Sequence, residues 1–134
     1  MKPNNVLYQK CTEDSFYRAW IEFLAPYHKL TPRERDVAAR IIAQYCLLKR
    51  SIHETEVLTD ILWSRKSKND MMRSLGMKPA HFQMVLAKLR AAELLIGEDV
   101  NPRYIPHKDD NPRFMLQIVF DWSTPSNPIR NAEG

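Results

Sequence analysis

At 134 residues, 44% of them apolar and 27% charged, the chain has the size and balance of one ordinary globular domain with a core to fill. Its net charge of +4 is too mild to mark a nucleic-acid binder by itself, and no apolar run nears the 18 or so residues of a bilayer span. MKPNNVLYQK offers no secretory h-region, and Cys11 and Cys46 lack CxxC spacing, so the expectation is a reduced protein acting inside a cell, or in something assembled there.

Taken in order, residues 1–12 are polar, with Pro3-Asn4-Asn5, and read as an arm. A first helix is expected from about Asp14-Ser15, with Phe16, Trp20, Phe23 and Leu24 on one face and Pro26 as its stop. Thr31-Pro32-Arg33-Glu34 is a capping box with proline at the first helical position. The helix it starts carries Val37, Ile41, Tyr45 and Leu48 as an apolar stripe to about Arg50. Val57, Leu58, Ile61 and Leu62 suit a short helix within 51–63, and Ser64 is a candidate cap for the next helix, which buries Met71, Met72 or Leu75.

Gly76 then supplies a residue that accepts positive φ just past a helix end, and Pro79 opens another helix running to about Glu93. On that helix Phe82, Val85, Leu86 and Leu89 form the core face at about 100° per residue. Two strands are expected next, around Tyr104-Ile105 and from Arg113 to Trp122. The second alternates over ten residues, with Phe114, Leu116, Ile118, Phe120 and Trp122 on one side and Met115, Gln117, Val119 and Asp121 on the other. Helix, short turn, helix and β-hairpin is the order of a winged helix-turn-helix, a mainly α fold with a small hairpin (α+β), over residues 13–122. Residues 123–134, STPSNPIRNAEG with two prolines, read as a C-terminal tail.

No catalytic constellation is visible, and neither an enzyme nor a cofactor is expected. His53-Glu54 begins like a zinc-protease helix, but Val57 stands where the second histidine belongs. The remaining histidines (28, 81, 107) show no ligand spacing, and three glycines cannot build a phosphate-cradling loop.

Charge is uneven. Between Arg65 and Arg90 seven basic residues face one acid, a surplus of six, which leaves the rest of the chain at −2. Arg65, Lys66, Lys68, Arg73, Lys78 and Lys88 are therefore candidates for a DNA backbone, with a solvated helix face as the plainer reading. Base readout also needs hydrogen-bonding side chains on the outward face of the second helix. That face is Ala80, Met84, Ala87, Lys88 and Ala91, flanked by His81 and Gln83, which suits packing against another protein better than reading bases. The expected wing turn, 107–112, carries two acids and one lysine and offers phosphate little.

The strings LTPRERDVAARII, MMRSLGMKPAHFQMVLAKLRAAELLI and VNPRYIP together resemble a family in the structural gene blocks of crAss-like tailed bacteriophages, over roughly residues 30–122. The carrying positions are Leu75-Gly76, Leu86, Leu89-Arg90, Leu95-Ile96 and Asn101 to Pro106. The helix-turn-helix-wing order is also similar to MarR-type repressors, from which the Ala/Met outer face departs. The phage resemblance implies a small virion component, in a connector or ring at the portal vertex, assembled in the host cytoplasm. Its partners would be neighbouring virion proteins and copies of itself. The resemblance supplies no residue-level site, and the residues themselves offer Ala80, Met84, Ala87 and Ala91 and the arm residues Val6, Leu7, Tyr8 and Ile129 as contacts. The alternative expectation is a dimeric, nucleoid-associated transcription regulator. A third is an adaptor that grips a host protein by the same Ala/Met face.

Overall fold

A computed structural model of the chain describes residues 6–109 and 111–124. It is mainly helical: α1 (Glu13–Phe23), α2 (Ala25–His28), α3 (Pro32–Lys49), α4 (Thr55–Leu62), α5 (Arg65–Leu75) and α6 (Pro79–Ala91) precede an antiparallel hairpin of β1 (Leu95–Ile96) and β2 (Asp99–Val100). A 3₁₀ turn, Pro102–Tyr104, follows. No helix among the described residues is long and apolar enough to cross a membrane.

The helix boundaries follow from local chemistry. Thr31 and Glu34 close the expected capping box on α3, and Ser64 accepts the Ser67 N–H at the start of α5. α1 begins one residue earlier than expected because Thr12 and Ser15 form a second reciprocal cap. Pro26 does not stop α1, which already ends at Phe23, but sits in the first turn of α2. Two helices end in the same six-residue device. After α5, Gly76 takes φ 61° while the Met77 N–H reaches the Met72 carbonyl; after α6, Glu93 takes φ 61° while the Leu94 N–H reaches the Leu89 carbonyl. The chain is thus turned sharply into Met77 and Leu94, both buried.

α3 is the hub, packed against α1, α4, α5 and α6. It buries Val37, Ala38, Ile41 and Ile42, around which Tyr17, Trp20, Ile21, Leu62, Met71, Phe82, Val85, Leu86, Leu89 and Leu94 close the core. Burial of this kind contributes about 1.5–3 kcal/mol per large apolar side chain. Ion pairs at both ends fix α1 antiparallel to α3: Glu13 with Arg50 at 2.7 Å, and Arg18 with Asp36 at 2.7 Å and Arg35 with Glu22 at 2.9 Å. His28, at the end of α2, is buried against α1. Its Nδ1 accepts the Leu30 N–H at 3.0 Å, so the neutral ring donates from Nε2 to the Ile21 carbonyl at 2.8 Å.

The hairpin is not where the alternation placed it. The two strands expected around Tyr104-Ile105 and at 113–122 are not formed: Tyr104 closes the 3₁₀ turn, and 113–122 has no regular secondary structure. Gly97, at φ 64°, turns the chain two residues after β1 begins, so the strands are only two residues each. Tyr104, Ile105 and Pro106 are buried nonetheless. The Trp20 indole holds them by donating to the Tyr104 carbonyl at 2.8 Å, across 84 residues of sequence.

Candidate interaction surfaces

Three surfaces face solvent, two of them on the α5–turn–α6 unit. The first is the outward face of α6. Phe82, Val85, Leu86 and Leu89 are buried as expected, which forces Ala80, Met84, Ala87 and Ala91 outward together with Lys88. Spacings of four, three and four residues put the three alanines and Met84 on one ridge. That ridge has no side-chain hydrogen-bond donor or acceptor of any strength, and Met84 is more than half exposed on it.

The second is a shallow cleft of about 250 Å³ between α5 and the start of α6, lined by Arg65, Lys68, Asn69, Met72, Pro79 and Gln83. Its polar rim joins two cations to two amides. Asn69 was not singled out by its sequence position. The signal was there, because it lies four residues after Arg65 and so on the same helical face. Of the other basic candidates, Lys66 and Arg73 pair with Asp70, at 3.4 Å and 3.2 Å. Lys78 and Lys88 are exposed and make no ion pair among the described residues. Arg40, on α3 behind α5, donates to Ser74 and Gln44, and burial pulls its affinity for a proton down from the ordinary arginine value.

The third surface is built from the two ends of the chain. Val6, Leu7 and Tyr8 are all exposed, as an arm would be, and the Arg113 guanidinium lies 5.9 Å from the Tyr8 ring. Ile129 lies outside the described residues. Phe114 is anchored edge-on against Phe16 at 5.3 Å and Trp20 at 5.5 Å. Beyond it the apolar residues that were expected to pack as a strand face are exposed, increasingly so: Leu116 48%, Ile118 54%, Phe120 80%, Trp122 88%. Among the described residues, no backbone–backbone hydrogen bond involves residues 114–122.

Titratable groups elsewhere have structural explanations. Cys46 is half-buried beside Tyr17, and burial raises its thiol above the usual range. Burial likewise pushes the Tyr17 phenol up to about 12, with Cys46 adding to it. Among the described residues, no three His, Cys, Asp or Glu side chains converge as a metal site. No family model matches this chain, and comparisons with curated proteins and with solved structures find no significant match.

Proposed function

We propose that the chain is a non-enzymatic structural component of a tailed-bacteriophage particle, built as a winged helix-turn-helix block in a connector or ring near the portal vertex. The α5–turn–α6 pair followed directly by the β1–β2 hairpin supports that fold reading, with β1–β2 as a very short wing. The observation that carries the functional reading is the outward face of α6. A helix that reads base edges needs Arg, Lys, Asn or Gln at its centre, whereas here Ala80, Met84, Ala87 and Ala91 offer a smooth ridge that another protein can approach closely. Such a block is held by protein contacts, and the exposed segments at 6–8 and 115–122 give it further points of attachment.

One observation favours a second reading, a duplex-DNA-binding regulator: the cleft that joins Arg65 and Lys68 to Asn69 and Gln83 combines phosphate-binding and base-reading groups. A mobility-shift series on a pool of random duplexes at low and moderate salt separates the two. The structural reading expects at most weak binding, lost as salt rises, with no sequence enriched. Selection of a defined sequence, with the preference altered by Met84→Ala and Lys88→Ala, would refute it.

A further inference from the structure

We propose that residues 112–122 form a β-strand by pairing, antiparallel, with the same residues of a second copy of this chain. The segment has strand chemistry and, among the described residues, no strand partner. Its even-numbered side is wholly apolar, from Pro112 through Phe114, Leu116, Ile118 and Phe120 to Trp122, while its odd-numbered side, Arg113, Met115, Gln117, Val119 and Asp121, is mixed. That is the pattern of a strand with one covered and one wet face, yet the backbone from 114 to 122 takes part in no ladder among the described residues.

The occupant is indicated by the segment's self-complementarity. Centred on Gln117, an antiparallel pair sets Arg113 opposite Asp121, Phe114 opposite Phe120, Met115 opposite Val119 and Leu116 opposite Ile118, with Gln117 opposite itself. Trp122 then meets Pro112, whose missing N–H ends the ladder. Every charge finds its opposite, every large apolar group finds another, and the arrangement closes on a two-fold axis. Parallel in-register pairing would instead stack arginine on arginine and aspartate on aspartate. Arg113 now lies beside Tyr8, and one Asp121 oxygen accepts the Ser123 N–H, which leaves the other oxygen for the arginine across the axis.

Pairing sets the exposed Leu116, Ile118, Phe120 and Trp122 of both copies side by side on one face of the ribbon, where cross-strand contacts between large apolar groups contribute about 0.2–1 kcal/mol each. Phe114, seated on Phe16 and Trp20, marks where the apolar face of the ribbon meets each helical body. The proposal is independent of the virion reading, since a regulator could dimerise the same way.

The test is sedimentation of the full chain across a concentration series, with far-UV circular dichroism to confirm that each variant keeps its helices. The wild type should dimerise, and Ile118→Pro, which removes a ladder N–H, should be monomeric. Arg113→Asp should weaken the dimer about tenfold, because two opposed pairs per dimer each change sign, and Arg113→Asp with Asp121→Arg should restore it. In a background with Cys11→Ser and Cys46→Ser, Gln117→Cys should form a disulfide with its own copy on oxidation, whereas Met115→Cys should link only to Val119→Cys. A wild type that stays monomeric overturns the proposal. A dimer indifferent to Ile118→Pro, or one in which Met115→Cys links to itself, overturns it as well.

Discussion

Replacing Trp20 with phenylalanine keeps an aromatic ring against Phe114 but removes the N–H that reaches the Tyr104 carbonyl at 2.8 Å. That carbonyl belongs to a buried residue and has no second partner among the described residues. Leaving it unpaired costs about 1–3 kcal/mol, and the lost indole volume adds about 1 kcal/mol, so Trp20→Phe should destabilise by roughly 2–4 kcal/mol. The molecule contains its own control. Trp63, a half-buried residue, makes the same bond, indole N–H to the Glu98 carbonyl at 2.8 Å, but that bond is open to solvent and water can replace it. Trp63→Phe should therefore cost about 1 kcal/mol, mostly for the lost ring volume. Urea unfolding followed by circular dichroism reads both values, with equal slopes expected for the two variants. Equal costs for the two substitutions would refute the reasoning, because burial rather than bond length is held to set the difference.

Three further outcomes are expected. Gly76→Ala meets no neighbouring atom but must hold φ 61°, so it should lose about 1–2 kcal/mol by the same unfolding assay, while Glu93→Gly, at the equivalent place after α6, should gain a smaller amount. The Ser67 hydroxyl is buried without a partner among the described residues, so Ser67→Ala should raise stability by about 1 kcal/mol. Hydrogen bonding to Arg50 holds the Glu13 carboxyl below its ordinary value of 4.5, and hydrogen bonding to Arg18 does the same for Glu22. Both contributions are present above pH 4.5 and disappear as pH falls through the lower folded-state values, so Glu13→Gln with Glu22→Gln should flatten the loss of stability in that window, read by thermal melts across an acid series.

What could be read from the residues alone was whatever is decided within one or two helical turns. Thr31 and Glu34 meet because a capping box spans three residues, and Gly76 and Pro79 punctuate α5 and α6 by their own backbone preferences. The inward face of α6 was legible from its period, and with it the outward Ala/Met ridge. The hairpin was misplaced because alternation reports a strand's chemistry and says nothing of whether a partner strand lies in the same chain. Residues 113–122 alternate over their whole length and find no strand partner among the described residues, whereas β1 and β2, at two residues each, are too short to show any period. The bond from Trp20 to Tyr104 and the neutral ring of His28 were illegible for a different reason, since each depends on where separate helices meet. The cleft at Arg65, Lys68, Asn69 and Gln83 belongs to the same class: its cations were visible as a charge surplus, but their convergence with two amides required the angle between α5 and α6.

The seat of Phe114 on Phe16 and Trp20 also fixes a length. Past that point the eight residues to Trp122 can stretch about 3.3 Å apiece, a leash of roughly 25 Å. Whatever grips the far end can therefore stand well clear of the helical body and shift relative to it without disturbing a single core contact. Any assembly joined through this leash would tolerate changes of spacing and tilt between neighbours that a face-to-face helix contact would resist.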